Sequence, residues 1–265
     1  FNQYSSLFFF RIIDYSIMDN HFHLVVKQGE SKDYSNEEIA RRVLLFSLPK
    51  KKNFNESEQL KILDRLEDLS EYVKSIKEDF SRWYNKRNNR LGCFWASRFK
   101  SVLVEHKSAL ASVSAYVALN AVRANIVERP EEYRWSGLFA RINKKEISKN
   151  MTFEGIFEAN RQENLDLYLQ YVYATGAIDK GDGIGKIAEK TIEKSEKEGL
   201  IDFANVKGRL NKRCLHFVNS VAIGSRSFVT AVFGQFAGKE IQKKSTTPVE
   251  TGITENLYSV TRVKA

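Results

Sequence analysis

Two histidines and one tyrosine are the side chains of this chain best suited to chemistry. His21 and His23 are one residue apart in YSIMDNHFHLVVK, whose β-branched and aromatic residues predict a strand over 15–27 with a turn at Asp19-Asn20. Side chains at i and i+2 of a strand point to the same face, so the two imidazoles project side by side. Such a pair supplies two nitrogen ligands for a divalent metal ion, although two histidines on a half-exposed strand would show the same spacing.

Tyr116 is the candidate nucleophile. It lies on a predicted helix that Ser108 opens and that ends before Pro130, and Asn120 follows one turn later on the same face. A phenol can attack a phosphodiester and form a covalent intermediate, and a bound metal ion neutralises charge in the transition state. The amide oxygen of Asn120 could be a third ligand of that ion. The alternative is that Tyr116 is a core aromatic packed beside valines of its own helix.

A third segment, FWASRFK at 94–100, combines aromatic and cationic residues. Its Arg98 and Lys100 are candidates for phosphate contacts, and its Trp95 is a candidate for stacking on an unpaired base. The same pattern is typical of a strand that packs its aromatic side chains inward and exposes its charges. The residues over about 94–105 do indicate a strand, so both interpretations stay open.

The composition limits the class of partner. Of 265 residues, 42% are hydrophobic and 28% are charged, as in globular proteins, and the net charge of +9 with a pI of about 9.4 favours a polyanionic partner. The two cysteines, Cys93 and Cys214, lack CxxC spacing, which argues against a disulfide framework and a thiolate zinc site and favours a cytoplasmic location. No stretch approaches the ~20 apolar residues that span a bilayer, and no basic amphipathic helix with an aromatic face indicates a membrane-surface role.

Helical periodicity indicates the elements that must position these side chains. It predicts a short helix from Asn36 to Leu45, and one long helix or two successive helices over 57–87 with a break near Asp68. A polar connector at 143–150 is the expected domain boundary. Beyond it, helices are expected at 153–175, 186–198 and 225–236, with a glycine-rich loop at 179–185 and a basic run at 207–214.

Three segments in this order resemble the single-tyrosine transposases of the HUH superfamily, of insertion-sequence-200 type, and within them the REP-associated tyrosine transposases. The segments are YSIMDNHFHLVV, RWYNKRNNRLGCFWASRFKSVLVE and AYVALNAVRANIVERPEEYRWSG. The resemblance covers about 15–137, and the stretch from Arg213 to Phe236 resembles the accessory region of some members. It implies an α+β fold, with a ferredoxin-like or RRM-like antiparallel sheet packed on helices in a catalytic domain over 1–142, and a mainly helical C-terminal domain over 150–265.

In that family the two histidines bind the metal, and a tyrosine on a downstream helix cleaves DNA. The resemblance therefore implies His21 and His23 as ligands of Mg²⁺ or Mn²⁺, Asn120 as a third ligand and Tyr116 as the nucleophile. The implied reaction cuts and rejoins single-stranded DNA that contains hairpins, through a 5′-phosphotyrosine and without a nucleotide cofactor. The candidate DNA contacts are Trp95, Arg98, Lys100 and Arg123. A monomer and a homodimer both stay open.

The sequence departs from the family pattern in three places. Asp19 and Ala121 stand where relatives usually have proline. The family's first strand should precede Tyr15, where only fourteen residues are present, so we expect an N-terminally truncated catalytic domain with an unpaired sheet edge. Two other classes stay open: a non-catalytic or decayed RRM-like nucleic-acid-binding protein, and a replication-initiator or relaxase nickase of the same superfamily. The match at AYVALNAVRANIVERP argues against the nickase.

Overall fold

The computed structural model describes residues 1–47, 55–156, 161–176, 187–201, 220–236, 248–250 and 257–261. Its helices are α1 (Asn2–Ser5), α2 (Asn36–Ser47), α3 (Glu56–Leu66), α4 (Leu69–Arg87), α5 (Ser108–Ala118), α6 (Asn120–Arg123), α7 (Gly137–Ile142), α8 (Arg161–Gly176), α9 (Glu189–Lys197) and α10 (Arg226–Phe236). Its strands are β1 (Phe10–Ile17), β2 (Phe22–Gln28), β3 (Leu103–Val104), β4 (Ser220–Gly224), β5 (Val249–Glu250) and β6 (Tyr258–Thr261). The predicted α+β class is confirmed. Within the described part of the chain, no helix has both the length and the apolar character needed to cross a membrane.

Contacts between residues divide the chain into two compact units. Unit 1 comprises 1–12, 26–99 and 149–152, and unit 2 comprises 13–25, 100–148 and 153–265. Segments on both sides of the connector at 143–150 contribute to the core of unit 2. The domains 1–142 and 150–265 stay a prediction.

Unit 1 is built from α2, α3 and α4 around buried aromatic side chains. Asn55 caps α3 by accepting a hydrogen bond from the backbone N–H of Glu58 at 2.9 Å, and Asp68 caps α4 by accepting one from the backbone N–H of Ser70. The predicted break near Asp68 is confirmed. In the core, the ring of Tyr72 lies 4.9 Å from that of Phe10 and 5.5 Å from that of Phe8.

A hairpin carries the histidine motif. The predicted strand with a turn at Asp19-Asn20 is confirmed as two strands, β1 and β2, and β1 begins at Phe10 rather than Tyr15. The backbone N–H of Met18 donates to the carbonyl oxygen of His21 at 2.8 Å, which closes the turn. Because so short a connection cannot join parallel neighbours, the two strands pair antiparallel.

The core of unit 2 forms where α5 packs against the end of the hairpin and against α8. Ala111, Ala115 and Ala118 recur at helical spacing and are buried on α5, so they give that helix an apolar face. Ile13 and Val25 are buried in the same core from the hairpin. The helix predicted to open at Ser108 and end before Pro130 is confirmed as α5 and α6. It ends earlier than expected, at Arg123.

A second, mixed sheet in unit 2 has the strand order β3-β4-β6-β5. β3 pairs parallel with β4, with Leu103 beside Ala222, and the other two pairings are antiparallel. The strand predicted over 94–105 is wrong for most of its length, since only β3 is a strand. Phe94 and Trp95 pack on aromatic rings of α4 instead, because strand preference reflects a packing surface and here a helix supplies that surface.

The predicted C-terminal helices are confirmed in α9 and α10, and α8 covers the described helical part of the stretch predicted at 153–175. The residues before it, 153–156, are not helical. The glycine-rich loop predicted at 179–185 and the basic run at 207–214 lie outside the described residues.

Candidate functional site

The two histidines lie at the turn end of the β1–β2 hairpin, within unit 2. His21 ends the turn and His23 is the second residue of β2. Their ring centroids are 4.9 Å apart, and the ring planes are nearly perpendicular at 87°. The hairpin therefore brings both imidazoles together on one side, where they can serve as two nitrogen ligands.

The surroundings of the two rings differ. His21 is exposed, and its Nδ1 lies 2.6 Å from Oδ1 of Asn20. A tautomer that donates from Nδ1 to Asn20 presents Nε2 as the ligand atom. His23 is half-buried, and burial, with the nearby His21 and Arg123, lowers the pKa of His23 to about 4. His23 is therefore neutral at pH 7, which is the form of imidazole that binds a metal ion.

Tyr116 faces His23 from α5. The two ring centroids are 5.7 Å apart and the planes are at 88°, an edge-to-face arrangement that aromatic rings favour. The buried alanine face anchors α5 in the core of unit 2, which leaves Tyr116 half-buried on an adjoining face. We name His21, His23 and Tyr116 the ring cluster, because each ring contacts the next although two distant segments supply them.

Arg123 adds a cation to the ring cluster. Its guanidinium carbon lies 4.8 Å from the centroid of the Tyr116 ring, and its Nη1 donates to the carbonyl oxygen of Tyr116 at 3.2 Å. That carbonyl is in the last turn of α5, where carbonyl groups lack helical partners. Arg123 reaches it from α6 across the break at Leu119. A guanidinium in this place can stabilise negative charge on a phenolate or on a phosphate.

Asn120 is the first residue of α6 and is half-buried. Its Nδ2 donates to the carbonyl oxygen of Val117 at 3.3 Å, so its amide oxygen is the atom able to coordinate a metal ion. The described residues contain no group of three or more His, Cys, Asp or Glu side chains able to hold a metal ion. Of the three predicted ligands, the structure brings His21 and His23 together, and Asn120 as a third ligand stays a prediction.

Two of the predicted DNA contacts, Trp95 and Arg98, belong to unit 1, whereas Lys100 and Arg123 belong to unit 2. Arg98 and Lys100 are exposed. Trp95 is half-buried, its Nε1–H donates to the carbonyl oxygen of Lys77 at 2.9 Å, and its ring lies 5.0 Å from that of Phe94. The structure therefore places Trp95 inside an aromatic cluster.

Sequence inspection missed a buried polar network in unit 2 that holds the part of β1 around Asp14. Asp14 on β1 is fully buried and accepts a hydrogen bond from the hydroxyl of Tyr168 on α8. Arg141 on α7 places Nη1 at 3.9 Å from Asp14 Oδ1 and donates from Nη2 to the carbonyl oxygen of Ile13 at 2.5 Å. Burial raises the pKa of Asp14, and the nearby Arg141 opposes that shift. The available signal was a lone carboxylate inside the apolar run from Ile12 to Tyr15.

No family model, no curated protein and no solved structure matches this chain. The functional interpretation therefore depends on the geometry of the ring cluster and on the motifs themselves.

Proposed function

We propose that this chain is a single-tyrosine transposase of the HUH type, which cuts and rejoins single-stranded DNA. The observation that carries the proposal is the ring cluster, in which His21 and His23 lie 4.9 Å apart and His23 and Tyr116 lie 5.7 Å apart. A strand tip and a distant helix thus bring two metal-binding side chains beside one potential nucleophile. This chemistry requires ligands for a metal ion and a nucleophile. The histidine pair can supply the ligands, and the phenol can be the nucleophile.

The proposed reaction exchanges one phosphodiester for another. The Tyr116 oxygen attacks the scissile phosphorus, the P–O3′ bond breaks, and the 5′ phosphate of the downstream strand becomes attached to the phenol, whose proton passes to water. The departing 3′ oxygen takes a proton and becomes a 3′-OH. A 3′-OH from another strand then attacks the phosphotyrosine and releases Tyr116, so no external energy source is consumed. A divalent ion, when bound by His21, His23 and Asn120, supplies charge neutralisation at the phosphate.

The contacts of Arg123 support a role beside the nucleophile. Its guanidinium covers the Tyr116 ring and is planar, so it can pair with two phosphate oxygens while staying near the phenol. His23, neutral at pH 7, keeps its nitrogen available for coordination rather than protonation.

The finer fold is also part of the proposal. We take the β1–β2 hairpin as part of a ferredoxin-like sheet with α5 packed on its face. The support is the shared core of unit 2, where Ile13 and Val25 from the hairpin pack with Ala115 and Leu110 of α5. An RRM-like variant that uses 94–100 as a stacking strand is not supported, because that segment is not a strand.

The test is a covalent adduct assay with strand-specific labels. A pool of single-stranded hairpins with randomised flanks, in Mn²⁺, should give a labelled protein band on a denaturing gel when the label is at the 3′ end. The same pool labelled at the 5′ end should give only a shorter free strand. Tyr116→Phe should abolish the adduct, and Tyr171→Phe, which removes a hydroxyl bonded at 2.8 Å to Ser112, should leave it intact.

Two results would contradict the proposal. One is an adduct that persists in Tyr116→Phe, which would assign the nucleophile elsewhere. The other is metal-independent binding of the pool with no adduct in any divalent ion, which would favour the non-catalytic nucleic-acid-binding class.

A further inference from the structure

A second cluster of aromatic and cationic side chains lies in unit 1, on the C-terminal half of α4. Its centre is Phe80, whose ring lies 5.6 Å from Trp83 and 5.9 Å from Tyr84. The guanidinium of Arg87 lies 5.9 Å from the Trp83 ring, and that of Arg90 lies 5.8 Å from the Tyr84 ring. We name Phe80, Trp83, Tyr84, Arg87 and Arg90 the α4 platform.

The loop after α4 holds the platform in shape. The side chain of Asn85 donates to the carbonyl oxygen of Gly92 at 2.9 Å, and the ammonium of Lys77 donates to that of Ser97 at 2.9 Å. The Phe94 ring lies 4.7 Å from Tyr84 and 5.0 Å from Phe80, so it supports both rings from the loop side. The loop thus holds Phe80 and Tyr84 in place before any partner arrives, which lowers the entropy cost of binding.

The exposed ring of the platform is Trp83, which is 55% exposed although indole is among the side chains most often buried on average. Phe80 is 38% exposed beside it. A pair of adjoining, half-exposed aromatic faces is costly to leave in water, and it matches the flat surface of an unpaired base.

The charged side chains that follow Phe80 on α4 and in the loop after it are all cationic. From Phe80 to Phe99 the sequence has five cations and no Asp or Glu; the cations are Arg82, Lys86, Arg87, Arg90 and Arg98. The nearest carboxylate along the chain, Asp79, is engaged by Arg82 and by the hydroxyl of Tyr4. Among the described residues, no carboxylate lies within salt-bridge distance of Lys86, Arg87 or Arg90. This surface therefore favours a partner that is an anion with flat apolar faces.

We propose that the α4 platform binds single-stranded DNA, with a base stacked on Trp83 and neighbouring phosphates paired with Arg87 and Arg90. The choice of DNA rests on the proposed function, whereas the choice of a single strand rests on the exposed rings, because bases within a duplex are not available for stacking. The platform binds single-stranded DNA without sequence preference, since every base has an aromatic face that can stack.

The chain contains a matched control for Trp83. Trp135 in unit 2 is 50% exposed, and the guanidinium of Arg134 lies 4.5 Å from its ring. Within four residues of Trp135 the sequence has two carboxylates and one cation, whereas within four residues of Trp83 it has one carboxylate and three cations. An exposed tryptophan with an arginine over it is thus present twice, and only Trp83, which lies in the more cationic surroundings, should bind DNA.

The experiment measures binding of the full chain to fluorescent oligo(dT) by anisotropy, in EDTA and in the Tyr116→Phe background. Trp83→Ala should weaken binding about 5- to 150-fold, the range that ~1–3 kcal/mol per stacked base corresponds to. Trp83→Phe should restore most of the affinity, and Trp135→Ala should change it by less than about twofold. The double variant Arg87→Gln/Arg90→Gln should reduce the slope of log K against log salt by about 1.4, since each lost phosphate contact removes ~0.7.

Equal affinities of Trp83→Ala and Trp135→Ala would overturn the inference. So would tighter binding of duplex than of oligo(dT), or a Trp83-dependent dimer in sedimentation without DNA, which would assign the rings to self-association. Because no metal and no nucleophile is present in this assay, its outcome is independent of the adduct assay. If the adduct forms but binding does not depend on Trp83, only this inference is removed. If binding depends on Trp83 but no adduct forms, only the proposed function is removed.

Discussion

The ring cluster and the α4 platform are both made of aromatic rings covered by arginine, but they are assembled differently. In the ring cluster, His23 comes from a strand and Tyr116 from a helix far along the chain. In the platform, Phe80, Trp83 and Tyr84 are neighbours on one helix at spacings of three and four residues. The ring cluster therefore depends on tertiary packing of unit 2, whereas the platform depends on the helicity of α4 and on its following loop.

The largest expected effect is on the packing that the ring cluster requires. Arg141→Met leaves Asp14 without its buried cation and removes the hydrogen bond to Ile13. Loss of one partner of a buried pair costs about 3–5 kcal/mol of unfolding free energy. Urea denaturation should show this loss, and Arg134→Met, which removes an exposed arginine, should change stability by less than about 0.5 kcal/mol.

The stability lost in Arg141→Met should also depend on pH. Burial already raises the pKa of Asp14 from 3.8, and removal of Arg141 raises it further. A carboxyl group with a raised folded-state pKa stabilises the fold most below its unfolded pKa, and that contribution is lost as pH rises. The stability deficit of Arg141→Met should therefore grow from pH 4 to pH 8. A deficit that shrinks over this range would show that Asp14 is not the group left uncompensated.

The next effect separates the two regions functionally. His23→Ala should lower the rate of adduct formation by at least about 100-fold. Mutation of a residue that only supports a metal ligand already lowers metal affinity or activity about 10- to 100-fold. Oligo(dT) binding in EDTA should stay within about twofold, since the platform does not use the metal. His106→Ala, at an exposed histidine, should leave both measurements unchanged. Loss of DNA binding in His23→Ala alone would remove the distinction between the regions.

A smaller effect is expected at Arg123. Arg123→Lys keeps the charge but loses the planar group over Tyr116 and the hydrogen bond to its carbonyl oxygen. We expect about a tenfold slower adduct rate, consistent with ~1–2 kcal/mol for a partly desolvated cation–π contact. The half-maximal Mn²⁺ concentration should not change, because Arg123 is not a ligand. A shift in that concentration would mean that Arg123 acts through metal binding instead.

The smallest effect concerns the loop that supports the platform. Asn85→Ala removes the hydrogen bond to Gly92 and should cost about 1 kcal/mol of stability together with a two- to fivefold loss of oligo(dT) affinity. Asn143→Ala removes a comparable bond at 3.0 Å to Phe139 in unit 2. It should cost similar stability without any loss of affinity. Equal affinity losses in the two variants would mean that the platform is not the binding surface.

Local features of this protein were predictable from sequence. The break at Asp68 was predictable because an N-cap residue interrupts an otherwise continuous apolar spacing, and the hairpin turn was predictable from Asp19-Asn20 between strand-forming residues. The structure of residues 94–105 was not predictable from sequence, because Phe94 and Trp95 pack on α4 rather than on a neighbouring strand.

Features that join distant segments were only partly predictable. Arg123 was expected to contact DNA, and its position over Tyr116 arises from the break at Leu119, which periodicity does not reveal. The burial of Asp14 with Tyr168 and Arg141 joins three elements, so no local pattern contains it. Trp83 and Trp135 have similar exposure, and the neighbouring charges differ between them.

Residue spacing alone settled which side chains share a face: His21 with His23 on one side of the hairpin, and Phe80 with Tyr84 on one side of α4. Backbone geometry repeats every two residues in a strand and every 3.6 in a helix, so a face can be read without knowing what lies opposite. Which faces meet was settled by packing. His23 lies beside Tyr116 because the alanine face of α5 and the apolar side of the hairpin fill one core together, and that fit is a sum over many contacts between distant segments.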